Sequence, residues 1–165
     1  MAYEIERKFL IDRIDEEYLV SLGATKKEIA QSYLMPSPSF PVRRIRKTEE
    51  NGATKYFYTE KRAVGKGFAC EENECEISAN QYLKLQKERD FALNEIVKTR
   101  YVLSQNGLDY EFDFFPFFPY YAILEIELQA EDSPYEIPNF VRVVKEVTFD
   151  YAYTNKSMAK EIPLI

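Results

Sequence analysis

The chain has 165 residues, of which 45% are hydrophobic, enough apolar mass for one packed domain over residues 1–165; wholesale disorder is excluded. The net charge of −6 leaves no basic surplus for broad nucleic-acid binding. Having no His excludes His-based triads, metal sites and acid/base catalysis, and five Gly argue against Gly-rich phosphate loops.

Strand periodicity dominates the chain. Residues 3–11 read as a first strand. Residues 15–22 read as a short helix stopped by Gly23. A second strand covers 28–35 and ends at the turn Pro36-Ser37-Pro38. Residues 41–47 and 54–62 form a hairpin around Glu50-Asn51-Gly52, and 68–77 make another strand. Residues 78–90 read as the clearest helix, with Ser78 as cap and Gln81 as its capping-box partner. Residues 95–104 and 108–115 form a second hairpin around Asn106-Gly107. A long strand follows at 120–130, then a short helix from Pro138 to Val144, a short strand at 146–149 and a final helix at 155–161. The fold class expected is mainly β (α+β): about eight antiparallel strands in one barrel or sandwich with a few peripheral helices. Cys70 and Cys75 are five apart and point to opposite faces of one strand, so they read as reduced thiols of a cytoplasmic protein. No signal peptide is visible, and the apolar-rich run 112–124 is too short and Pro-broken to span a bilayer.

The charges are sorted by sign. In Glu4-Ile5-Glu6-Arg7-Lys8, alternation puts Glu4, Glu6 and Lys8 on one strand face. Arg44 and Arg46 share a face, as do Glu72, Glu74 and Glu76, Lys98 and Arg100, Glu111 and Asp113, and Glu125 and Glu127. A solvated face would mix signs, because like charges about 7 Å apart repel by roughly 2 kcal/mol at an effective dielectric near 20. Grouping makes sense where the charged faces line a wet lumen. Carboxylate clusters there suit hard cations such as Mg²⁺ or Mn²⁺. Paired Arg and Lys suit phosphate oxygens. A metal-bound polyphosphate satisfies both sets. The apolar faces would then point outward, under helices or a second subunit.

Glu4-Ile5-Glu6-Arg7-Lys8 resembles the ExExK signature of the CYTH superfamily, the triphosphate tunnel metalloenzymes. Further matches run in order along nearly the whole chain. They are Gln31-Ser32-Tyr33-Leu34, the basic Arg44-Ile45-Arg46, Lys61, Glu74-Cys75-Glu76, Lys98-Thr99-Arg100, Asp113, Glu125-Ile126-Glu127, and Tyr153-Thr154-Asn155 leading into Met158-Ala159. The resemblance implies an eight-stranded antiparallel closed barrel, or tunnel. It also implies metal-dependent hydrolysis or transfer at a triphosphate.

By that resemblance Glu4, Glu6, Asp113, Glu125 and Glu127 hold metal, Mg²⁺ or Mn²⁺. Arg44, Arg46, Lys61, Lys98 and Arg100 clamp phosphates together with Lys8, which also orients or activates the attacking water. Glu72, Glu74 and Glu76 either join the tunnel acids or pair structurally with the basic strands. The expected activity is that of a triphosphatase acting on inorganic triphosphate or a small organic triphosphate. A class IV-type adenylate cyclase is the alternative within the family; cyclase members often carry a His-Phe pair near the N-terminus that this chain lacks. A non-catalytic polyphosphate- or nucleotide-binding module and a plain β-barrel interaction protein are the alternatives outside it. The aromatic run at 112–121 is expected to pack the barrel exterior or a dimer contact, a homodimer being compatible with the outward apolar faces.

Overall fold

The computed structural model describes residues 2–165. Ten strands form a single antiparallel sheet. They are β1 (Ala2–Glu4), β2 (Glu6–Asp12), β3 (Thr25–Leu34), β4 (Val42–Glu50), β5 (Ala53–Ala63), β6 (Cys70–Ile77), β7 (Ile96–Gln105), β8 (Leu108–Phe114), β9 (Tyr121–Glu127) and β10 (Val143–Glu146). Three short helices accompany them: α1 (Glu16–Ser21), α2 (Ala79–Leu85) and α3 (Asn155–Lys160).

The order is β1-β6-β5-β4-β3-β7-β8-β9-β2-β10. This corrects the expected eight-stranded closed barrel: there are ten strands, and the hydrogen-bonded ladder does not return on itself. The reason lies at Ile5. The expected first strand changes partner there, so that Glu4 faces Cys70 of β6 while Glu6 faces Glu127 of β9. One stretch of chain thus touches two distant parts of the sheet.

Both hairpins turn where Asn-Gly demands it. Asn51 and Gly52 have φ of 50° and 77°, and Asn106 and Gly107 have 53° and 76°, the left-handed pair that a type I′ turn requires and that matches strand twist. Asp15 caps α1, and Ser78 and Gln81 form the reciprocal capping box of α2. That helix is shorter than expected: it stops at Leu85 and passes into a 3₁₀ turn, Gln86–Glu88. The helix expected after Pro138 is absent. Val143–Glu146 instead forms β10, which pairs with β2 at the sheet edge and fills its free hydrogen-bonding side.

Three apolar clusters hold the sheet. Outer-face residues Phe9, Phe112, Leu124 and Ile126 pack under Leu19 of α1 and against Tyr135 and Phe140. Ile45 and Leu34 pack with Tyr82 of α2. The third cluster departs from the expectation that apolar residues face outward only. Leu10, Tyr33, Ile96 and Ile123 alternate with charged residues on the inner face, and they bury against Phe115, Phe118, Tyr153, Met158 and Ala159. The inner face is therefore charged along most of its length and apolar at one end, where α3 and the 115–118 turn cover it. Phe115 and Phe118 of the aromatic run belong to this cover, with Phe117 stacked on Phe115 at 5.0 Å.

Candidate functional site

Alternation turns one face of each charged strand into a common cavity of about 150 Å³. Its lining draws on eight strands and on Asn155 of α3, and contains no apolar side chain. The opening Glu4 and Glu6 stand here, joined by Glu125 and Glu127 from β9 and by Arg44 and Arg46 from β4. Lys61, Glu72, Glu74 and Arg100 also line it. Lys8 borders it, with its ammonium 3.4 Å from Glu125 and 4.0 Å from Glu6.

The two basic strands are neutralised differently. On β7, Lys98 Nζ donates to Asp113 at 2.6 Å, with both side chains fully buried. Arg100 grips the same carboxylate in a two-pronged fork: Nε donates to Oδ1 at 2.6 Å and Nη2 to Oδ2 at 2.7 Å. Nη2 also meets Glu125 at 3.2 Å, and Nη1 pairs with Glu111. On β4, Arg46 donates only to the neutral Gln31 carboxamide, at 3.1 and 3.3 Å. Arg44 is 6% exposed, its nearest carboxylate is Glu74 at 3.8 Å, and its Nε has no hydrogen-bond partner. A buried guanidinium without hydrogen bonds is costly unless a ligand completes it.

The acidic side is crowded. Glu6, Glu111 and Glu125 each bring a carboxylate oxygen within 4.8 Å of the others. Burial, with Glu125 and Glu4 nearby, pushes the Glu6 carboxyl well above the usual range. Burial also drives Glu111 up to about 8 against the pull of Arg100. Glu125 goes the other way: burial would raise it, but Lys8, Arg100 and Lys98 outweigh burial and hold it well below the usual range. Lys8 resists burial because Glu125 and Glu6 flank it, and its ammonium stays protonated beyond the ordinary lysine range. Arg46 is lowered to about 10 by burial and by Arg44 and Arg100. Lys98 is lowered to about 8 by burial and by Arg100.

The structure thus gathers most of the residues marked in the sequence and separates a few. Glu4 lines the cavity outside the acidic trio and pairs with Lys61, which also reaches Glu72 at 3.1 Å. Asp113 lies behind the cavity wall, held by Lys98 and Arg100. Glu74 accepts from Thr59 at 2.7 Å. Glu76 lies outside, 3.9 Å from Lys55 and exposed to solvent. Three contributors were not among the marked residues. Glu111 carried a signal, since it shares a strand face with Asp113. Gln31 and Asn155 stood within the matched segments 31–34 and 153–155 but were given no role, because an uncharged amide in a strand or at a helix start has many ordinary uses.

No family model and no curated protein matches the chain. Solved structures do. The curled antiparallel sheet with sign-sorted charges on its inner face is that of the CYTH, or triphosphate tunnel, class, so the resemblance read from the sequence holds in three dimensions. The chain is similar to the inorganic triphosphatase NE1496 at 27% identity, over 99% of each chain, with a TM-score of 0.59. Protein PH1819 from Pyrococcus horikoshii OT3 shares the fold at 19% identity and a TM-score of 0.51, over 76% of this chain and 80% of that one. Among the described residues no helix is long and apolar enough to cross a membrane.

Proposed function

We propose that the chain is a metal-dependent triphosphatase that cleaves inorganic triphosphate or a small organic triphosphate in this cavity. One observation carries the reading: a cluster of three carboxylates shares a cavity with a buried guanidinium, Arg44, whose Nε lacks a hydrogen-bond partner. The likeness to an inorganic triphosphatase supports it.

The donor set fits a hard divalent cation. Seven carboxyls and four cationic side chains line the cavity. Counting the adjoining Asp113, Lys8 and Lys98 makes eight against six. The excess of two lies on the side of Glu6 and Glu111, whose carboxyls are both raised, Glu111 to about 8. Exchanging two protons for one divalent cation leaves the interior charge unchanged, and oxygen ligands of this kind suit Mg²⁺ or Mn²⁺. Glu6, Glu111 and Glu125 would hold the ion, with Glu127 beside them. Bound there, it would neutralise phosphate charge and polarise the phosphorus centre.

The chain's own cations supply the rest. Arg44 and Arg46 bind the phosphate chain, and Lys61 adds charge from the facing wall. Lys8 orients the attacking water by hydrogen bonding. An ammonium held protonated chiefly by the Glu125 carboxylate cannot accept a proton, so orientation is the role left to it. Such a site suits phosphoryl transfer, which rests on alignment and charge neutralisation rather than on a covalent nucleophile.

The test is phosphate release from a panel of inorganic triphosphate, thiamine triphosphate and ATP with Mg²⁺ or Mn²⁺, scored also for cyclic AMP. Release that a chelator abolishes, and that Lys8→Ala lowers about a hundredfold or more in a folded protein, is the expected result. Binding without release would make the chain a polyphosphate-binding module. Cyclic AMP from ATP would make it a cyclase.

A further inference from the structure

Arg100 stands where the sequence resemblance puts a phosphate clamp, yet every nitrogen of its guanidinium already has a carboxylate. Nε and Nη2 serve Asp113, Nη2 also serves Glu125, and Nη1 serves Glu111. Two of those carboxylates, Glu111 and Glu125, are also two of the three that converge with Glu6. They cannot make the same contacts to Arg100 and to a cation at once, because a carboxylate oxygen turned to a metal gives up part of its hydrogen bonding to the guanidinium. Asp113 is different. It lies behind the cavity wall, fully buried, and its fork keeps Arg100 anchored whatever the other two do.

We propose that Arg100 is handed over between ligands: Glu111 and Glu125 hold it in the metal-free protein, and when they turn to a divalent cation its Nη1 and Nη2 become free for the phosphate chain while Asp113 keeps it in place. The handover rests on the reading of the cavity given above. Arg44 is its internal contrast, since its nearest carboxylate, Glu74, stands 3.8 Å away and its Nε has no hydrogen-bond partner. The consequence is ordered binding. Arg44 contributes to phosphate affinity with or without the cation, and Arg100 only with it. By linkage, phosphate must then tighten cation binding by the same factor through which the cation tightens phosphate.

Methylenediphosphonate is a suitable probe, because its P–C–P bridge is not hydrolysed. Its affinity is measured by calorimetry for the whole chain, with chelator and with saturating Mn²⁺. A charge-assisted hydrogen bond is lost in each informative arm, so the expected change is about tenfold or more. Arg44→Gln weakens binding by that factor in both conditions. Arg100→Gln weakens it by that factor with Mn²⁺ and by less than about threefold with chelator. Glu111→Ala, which removes one of the two restraining carboxyl groups whatever its protonation, tightens binding in chelator. This arm moves in the direction opposite to damage, and it keeps the test decisive if Arg100→Gln fails to fold. Equal weakening by Arg100→Gln in both conditions, or no gain from Glu111→Ala, overturns the handover and leaves the cavity reading intact. No binding by the unsubstituted chain in either condition overturns both.

Discussion

Strands β4 and β7 carry the same written pattern, two basic residues flanking one uncharged residue, and they sit one strand apart in the sheet. Their fates differ. On β7, Lys98 and Arg100 are saturated by Asp113, Glu111 and Glu125. On β4, Arg46 meets an amide and Arg44 meets no hydrogen-bond acceptor at Nε. Alternation along a strand decides which face a charge occupies. The partner strand decides whether that charge is already spent. β8, the neighbour of β7, places Asp113 opposite Arg100 in the ladder, whereas β3, the neighbour of β4, places Gln31 opposite Arg46. One wall of the cavity is therefore a pre-neutralised scaffold and the other is open to an anion.

The hardest way to break this comparison is at the scaffold. Asp113→Asn leaves Lys98 and Arg100 buried with half their compensation gone. Removing one partner from a buried ion pair costs about 3–5 kcal/mol, so the denaturant midpoint should fall by the equivalent amount with an unchanged slope. Arg44→Gln, on the open wall, should lower the midpoint by less, because its charge is held only across space by Glu4, Glu72 and Glu74, with no short hydrogen bond to lose. A variant pair that behaved alike in unfolding would erase the distinction between the walls.

This distinction was only half legible in the sequence. The i, i+2 spacing placed all four basic residues on inward faces, and the Asn-Gly turns at 51–52 and 106–107 fixed two hairpins almost to the residue. The helix cap at Ser78 was equally plain, because capping chemistry is local. Three features were not local. The change of partner at Ile5 depends on two strands far away in the chain, so nothing in Glu4-Ile5-Glu6 announces it. β10 forms because β2 has a free edge, and Pro138 gave a false helix start. Leu10, Tyr33, Ile96 and Ile123 continue the inward parity of charged residues, and only the covering by α3 makes an apolar end to a charged face intelligible.

The acidic trio offers a smaller, graded effect. Glu111 is raised to about 8, so it holds its proton at neutral pH, and Glu6 is raised in the same direction by burial and by Glu125 and Glu4. A cation bound there competes with protons. Its apparent affinity should therefore rise with pH, by up to about tenfold per unit for each proton released. The Glu111 share of that slope should flatten above about pH 8. The phosphate side has the reverse sign: Arg46, lowered to about 10, loses charge as pH climbs toward that value, and anion affinity should fall there. Mn²⁺ titrations in buffers of different ionisation enthalpy would count the protons directly. A cation affinity flat from pH 6 to 8 would place the ion away from Glu6 and Glu111.

The smallest effect sharpens the comparison by marking where the cavity ends. Glu76 follows Glu72 and Glu74 at the same spacing on β6, so sequence alone treats the three alike. Only Glu72 and Glu74 line the cavity. Glu76 has run past it, facing Lys55 at 3.9 Å with both side chains 57% exposed. A solvent-screened pair of that kind contributes about 0.5 kcal/mol or less. Glu76→Gln should accordingly shift the unfolding midpoint barely at all and leave phosphate affinity unchanged. Glu74→Gln, one alternation earlier, frees the Thr59 hydroxyl and removes the carboxylate nearest Arg44. With that counter-charge gone, the Arg44 guanidinium presents more net positive charge to an anion, so methylenediphosphonate should bind more tightly to Glu74→Gln than to Glu76→Gln. Equal affinities would mean that entry into the cavity does not separate these two carboxylates.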